Sequence, residues 1–219
     1  MRQLSSSTLI SALRASLTML ALCGFLYPLA LTALGQWALP VQANGSLVRT
    51  PDGTIVGSQL IGQQWRGAQW FHGRPSATSA TDPRDPSKTI PAPYNAANSG
   101  GSNLGPTSRS LGERLMAERK ALDAMQPELI GLDLPADMLT ASASGLDPDI
   151  SPANAFLQVP RVARARGADP AHIHALVAKH VTGRSLGIFG EPRVNVLELN
   201  LALERACTFT GEGAGNRHC

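Results

Sequence analysis

The side chains that could do chemistry in this chain are few and poorly spaced for it. His172 and His174 stand two residues apart; on a helix that spacing turns them about 200° away from one another, which opposes a shared metal site. His218-Cys219, at the end of the chain, is a weak ligand pair. Phe71-His72-Gly73-Arg74-Pro75-Ser76-Ala77 brings an imidazole and a hydroxyl close in sequence, the raw material of a hydrolase. It lacks a Gly-x-Ser-x-Gly elbow and names no residue to orient a base. A structural turn, with Arg74 held by carbonyls or a carboxylate, is the stronger expectation. Ser87-Lys88-Thr89 lacks the glycines of a phosphate loop, and no Asp-Lys-Thr-Gly phosphorylation motif occurs. The chain is therefore expected not to hydrolyse ATP by itself. No stretch offers a carbonyl filter for a dehydrated ion.

Composition narrows the classes further. The 219 residues hold three cysteines, too few for a disulfide scaffold. Cys207 and Cys219 could close a small loop in an oxidising compartment, while Cys23 lies in an apolar run. Net charge is +3, and from residue 41 onward 17 basic side chains face 16 acidic ones. That balance, without an arginine-rich stretch, sets nucleic-acid binding aside. Arg161, Arg164 and Arg193 read as ion-pair partners or an interaction edge.

The elements that must position these residues begin with a membrane segment. Ala15 to Leu39 is 25 residues without a charged side chain, and a helix of that length reaches ~37 Å against a hydrocarbon core of ~30 Å. Trp37 suits a headgroup boundary, Pro28 could kink the run, and Ala21, Gly24, Ala33 and Gly35 would let a partner helix come close. Arg2 and Arg14 precede the run with no acid, which places residues 1–14 in the cytoplasm and the domain over 40–207 outside. Val41-Gln42-Ala43 would pass as a signal-peptide cleavage site, but the run exceeds the usual 7–15-residue apolar core of such peptides. A lipoprotein reading fails because Leu20-Ala21-Leu22-Cys23 puts the bulky Leu22 where a small residue is expected before the modified Cys.

Beyond the anchor, Ser46 to Gln59 reads as a hairpin turning at Pro51-Asp52-Gly53. Trp65, Trp70 and Phe71 should start the core. Residues 75–107 contain no periodic segment and read as a long loop, with Thr81–Pro93 as an insertion. Ser110 and Glu113 have capping-box spacing for a helix through about Gln126, its Leu111, Leu115, Leu122 and Met125 facing the core. Ser151-Pro152 opens a second helix, which should end or kink at Val159 ahead of Pro160. Asp169-Pro170 opens a third, with Ile173, Leu176, Val177 and His180 on one face. Asn195 and Glu198 cap a fourth, although the run from Val194 also suits a strand. The tail Thr208–Cys219 is expected to be disordered. The sum is a single N-terminal transmembrane helix and a compact exported α/β or α+β domain.

Several segments in fixed order resemble the KdpC family, the C subunit of the bacterial high-affinity potassium-transporting ATPase. They are Gly57-Ser58-Gln59-Leu60-Ile61-Gly62-Gln63, Arg74-Pro75-Ser76-Ala77, Tyr94-Asn95-Ala96-Ala97 and Ser99-Gly100-Gly101-Ser102-Asn103-Leu104-Gly105-Pro106. Thr140-Ala141-Ser142-Ala143-Ser144-Gly145-Leu146-Asp147-Pro148-Asp149-Ile150-Ser151 is the most telling, followed by Gln158-Val159-Pro160-Arg161 and Gly190-Glu191-Pro192-Arg193-Val194-Asn195. The match spans about residues 15–205.

The resemblance implies a non-catalytic, single-pass subunit of the inner membrane in a complex that uses ATP, Mg and K. Its partners would be a channel-like A subunit that selects potassium, a P-type B subunit that hydrolyses ATP, and a small F peptide. Family descriptions attach ATP binding to the C subunit as a catalytic chaperone that raises the B subunit's affinity for ATP. This chain would hold no metal or firmly bound cofactor and no catalytic residue. Arg74, Asn103, Asp147, Arg161, Arg193 and Asn195 are the structural or partner-interface candidates. The alternatives from the residues alone are an anchored or secreted hydrolase using His72 and Ser76, or a secreted binding module.

Overall fold

A computed structural model describes residues 6–208. Arg2, His218 and the expected Cys207–Cys219 pairing lie outside the described residues, as does the tail after Thr208. The chain divides into two compact units, one reaching Val56 and one starting at Gly57.

The first unit is dominated by a 33-residue apolar helical run, Ser6–Ala38. It comprises α1 (Ser6–Met19), a π-helical stretch Leu20–Leu26 and α2 (Tyr27–Ala38). The helix thus begins well before Ala15, since nothing from Ser6 to Arg14 breaks it. Pro28 does not break it either. A proline removes an N–H and pushes on the carbonyl one turn back. The turn before Pro28 widens instead, and Tyr27 N donates to Leu22 O five residues away. No side chain of the run is buried.

A single turn, α3 (Pro40–Ala43), leads to β1 (Leu47–Arg49) and β2 (Ile55–Ser58), which pair as the expected hairpin. Asp52 accepts from the Thr50 and Thr54 hydroxyls, and Gly53 takes the positive φ of 86° that the turn requires.

The core of the second unit lies where three helices meet a small antiparallel sheet of order β5-β7-β6. Its elements are β5 (Asp149–Ile150), α5 (Pro152–Arg166), α6 (Pro170–Lys179), β6 (Val181–Thr182), β7 (Arg193–Asn195) and α7 (Val196–Thr208). Phe71, Val162, Ile173, Val177, Val194, Leu199 and Leu203 are fully buried there.

The caps follow the sequence. Ser151 accepts from Asn154 N, Asp169 from Ala171 N, and Asn195 Oδ1 from Glu198 N at 3.1 Å. Both readings of the run from Val194 are therefore partly right: the strand ends at Asn195 and the helix starts at Val196. Of the two expectations at Val159, an end or a kink, the helix does not end there: α5 runs through Pro160 to Arg166. Pro160 is exposed while Asn154, Ala155, Gln158, Val159, Arg161 and Val162 are buried. The carbonyl freed by the proline therefore lies on the solvent face, and packing of the other face holds the helix together.

Two further expectations are corrected. Residues 75–107 are not loop throughout, since β3 (Ser79–Asp82) and β4 (Asp85–Pro91) form an antiparallel ribbon with a bulge at Thr81/Asp82. Pro86 and Pro91 hid it; a two-stranded ribbon has only edges, where prolines are tolerated. The helix predicted from Ser110 is α4 (Arg109–Met125), with Ser108 at its N-cap and no capping bond from that side chain. None of its side chains is buried, so the Leu/Met stripe is half-covered surface rather than core.

Candidate functional site

The segment Trp70–Ala77 belongs to no helix or strand of the second unit, so its peptide groups need other partners. Side-chain amides supply them. Asn200, on α7 and fully buried, accepts from Phe71 N and donates to Phe71 O, both at 2.9 Å. Gln158, on α5, accepts from His72 N at 2.8 Å and donates to His72 O at 3.0 Å.

Gln158 is also the middle of a chain of polar contacts. Asp137 accepts from Asn154 Nδ2 at 3.0 Å, Asn154 Oδ1 from Gln158 Nε2 at 2.7 Å, and Gln158 Oε1 from Arg161 Nη2 at 2.6 Å. Arg161 is 4% exposed and gives Nη1 to Ala68 O and Trp70 O at 2.7 and 3.0 Å. Burial without a neighbouring carboxylate lowers its pKa to about 10. Burial also lowers the pKa of His72, Arg161's charge adding to the effect and the Gly67 carbonyl opposing it. A cleft beside them, bounded by Gly73, Leu122, Met125 and Met138, offers about 20 Å³ to the centre of a water molecule. That is room for water, not for a nucleotide.

A second cluster joins segments far apart in the chain. Arg74 Nη1 meets Asp147 Oδ2 at 3.1 Å, and the same guanidinium reaches Thr140 and Ala141 carbonyls at 3.4 Å. Asp147 Oδ1 accepts from Asp149 N, tying the ion pair to the start of β5. Tyr94 OH donates to Arg74 O at 2.7 Å. Burial pushes this phenol up to about 12, with Asp147 adding and Arg74 opposing. Ser76 Oγ donates to Gly145 O at 2.7 Å and accepts from Tyr94 N at 3.0 Å.

The loop after Tyr94 closes the cluster: Gly100 N donates to Ser144 O, and Gly145 holds a φ of 67° with Gly100 O 2.6 Å from where a Cβ would stand. Four of the segments that carry the resemblance, those around Arg74, Tyr94, Gly100 and Asp147, thus meet in one place, and each bonds to another.

Of the predicted residues, Arg74 and Asp147 form one pair and Arg161 lies in the neighbouring network. Arg193 pairs with Asp149 at 3.1 Å across β5 and β7, and Asn195 Nδ2 donates to Gln59 O at 2.9 Å. Burial raises the Asp149 pKa, with Arg193 opposing. Asn103 stands apart, exposed, with a φ of 52°. Arg164 pairs with Glu128 at the surface. His72 and Ser76 are not brought together, since His72 Nε2 contacts Gly67 O at 2.9 Å while the Ser76 hydroxyl serves Gly145. His172 and His174 are both exposed, and His174 stacks on Phe156 with ring centres 4.5 Å apart.

Sequence reasoning missed Gln158, Asn200, Asn154 and Asp137 as a network. The signal was present: Asn154, Gln158 and Arg161 follow a helical i, i+4, i+7 stripe, and Asn200 interrupts an otherwise apolar one.

A family profile described as K+-transporting ATPase, c chain, matches residues 9–205. The chain is 58% identical over 183 residues to the potassium-transporting ATPase KdpC subunit of Methylobacterium nodulans, covering 84% of this chain and 89% of that one. It is 55% identical over 190 residues to the protein of that name from Bradyrhizobium diazoefficiens, covering 87% and 92%. With the one from Methylorubrum populi it shares 54% over 200 residues, covering 90% and 98%.

Proposed function

Because the chain belongs to the KdpC family, accessory subunits of the potassium-transporting ATPase, we propose that it is held in the bilayer by Ser6–Ala38 and carries its second unit outside the cytoplasm. The observation that carries this is the helix itself: 33 residues, apolar, with none of its own side chains buried. Such a surface needs lipid or partner helices around it. Arg14, in the N-terminal third of the run, with no acid before it, supports a cytoplasmic N-terminus.

In this reading the helix docks with a channel-like A subunit and a small F peptide, while a P-type B subunit binds ATP and Mg and performs the hydrolysis. Potassium is handled by the A subunit. The role here is that of a catalytic chaperone, raising the B subunit's affinity for ATP. An external unit cannot touch a nucleotide on the cytoplasmic side, so the effect is a coupling free energy passed through the complex. The Arg74–Asp147 cluster and the Gln158 network keep the external unit rigid enough to transmit it.

The test has two arms. Purified complex should lose apparent ATP affinity when this subunit is stripped and regain it on add-back; unchanged affinity defeats the chaperone role. An impermeant thiol reagent should label Cys219 in intact spheroplasts, and labelling confined to lysed cells would reverse the orientation.

A further inference from the structure

Every residue from Thr182 to Arg193 is exposed, and the tip of this excursion between β6 and β7 carries three large apolar side chains. Leu186 is 88% exposed, Ile188 72% and Phe189 65%. Clustered apolar exposure of this kind marks a surface that something covers. Leu186 also sits at a φ of 54°, a conformation costly for a bulky side chain. At 88% exposure, Leu186 contributes little to packing within the unit.

The tip is closed on itself. Phe189 N donates to Ser185 O at 2.9 Å and Ser185 N to Phe189 O at 2.8 Å; Gly187 N reaches Arg184 O at 3.1 Å and Ile188 N reaches Ser185 O at 3.2 Å. Four N–H groups are thus satisfied inside five or six residues. Entry into hydrocarbon demands this, because no water remains there to bond the backbone. Charge is confined to the base of the loop, where Arg184 Nη2 meets both Glu191 oxygens at 2.8 and 2.9 Å. An apolar tip above a charged collar matches the polarity profile of a bilayer interface.

We infer that the Arg184–Glu191 loop inserts Leu186, Ile188 and Phe189 into the lipid surface, a second membrane contact of the same chain. The inference rests on the membrane-anchored reading above. Once Ser6–Ala38 is in the bilayer, insertion of the loop is an intramolecular event. Three side chains that would bind lipid only weakly on their own then suffice.

The full-length chain, with Cys23, Cys207 and Cys219 changed to Ser, is given one new cysteine by Leu186→Cys, Ile188→Cys or, as the exposed control, Met116→Cys. Each is labelled with an environment-sensitive fluorophore in phosphatidylethanolamine–phosphatidylglycerol nanodiscs, with or without nitroxide-bearing lipid. Labels at 186 and 188 should shift to the blue and be quenched several-fold more than the label at 116. Adding Phe189→Ser to the Leu186→Cys variant should reduce that quenching.

Quenching at the tip no stronger than at 116, in chains that stay with the nanodiscs, overturns the inference and leaves the anchor standing. Failure of the chain to stay with the nanodiscs overturns both. Shielding of the tip that appears only when the other ATPase subunits are added assigns the loop to a protein interface and overturns the lipid contact.

Discussion

Gln158 lies against His72 as a second peptide group would, accepting from its N–H at 2.8 Å and donating to its carbonyl at 3.0 Å. Asn200 does the same for Phe71. Two side-chain amides on two helices therefore supply the peptide partners that a neighbouring strand would otherwise give at Phe71 and His72, and they fix where Arg74 and Ser76 emerge.

Replacing Gln158 by Leu keeps the volume but orphans the His72 peptide groups and one Arg161 donor. The second unit should lose about 2–4 kcal/mol. Urea unfolding of the full-length protein in detergent, followed by tryptophan fluorescence, measures it. A loss under 1 kcal/mol would mean that water takes over the amide's role.

Tyr94 makes the unit sensitive to alkali. Its folded pKa of about 12 lies above the ordinary value of 10.0, so the unfolded chain gives up the proton first. The stability tied to the neutral phenol is complete below about pH 10 and is lost as pH rises toward 12. In a Tyr27→Phe background, phenolate absorbance should titrate near the higher value. Tyr94→Phe should flatten the alkaline fall in stability while costing about 1 kcal/mol at neutral pH for the bond to Arg74 O.

Gly62 and Gly112 should respond oppositely to alanine. A Cβ at 62 would stand 2.5 Å from Asp147 O and 2.6 Å from Tyr94 Cε1, whereas one at 112 meets nothing within 4 Å. Gly62→Ala must push backbone away from the Arg74–Asp147 pair, and a loss of at least about 2 kcal/mol is expected. Gly112→Ala, inside α4, should gain up to about 1 kcal/mol from helix propensity. Paired melting curves separate the two.

Pro160→Ala should stabilise the unit. The helix already passes through this exposed position, so alanine restores a hydrogen bond without disturbing the buried face; a gain of about 1–3 kcal/mol is expected. A loss of stability would show that the proline's rigidity of the unfolded chain outweighs the missing bond.

Local chemistry made much of this fold legible. Ser151-Pro152, Asp169-Pro170 and Asn195 announce helix starts through groups a few residues away, and all three side chains cap as their spacing implies. The β3–β4 ribbon was hidden because its stability comes from cross-strand pairs such as Ala80 with Ile90, while its prolines argue locally against a strand. Pro160 misled for the same reason: a proline rule read along the chain does not see the packing that holds both halves of α5. Arg74 and Asp147 were identified separately, but nothing in a run of residues states that they lie 3.1 Å apart.

By itself the sequence determined the apolar run, the near-neutral charge of the rest, the helix starts and the family, because composition, capping and ordered motifs are all encoded between near neighbours. Tertiary structure alone decided that Gln158 and Asn200 stand in for a strand, that Arg161 is buried among carbonyls, and that Leu186, Ile188 and Phe189 are left outside. Burial and long-range hydrogen bonding depend on which surfaces meet, and that is settled only when the whole chain has closed on itself.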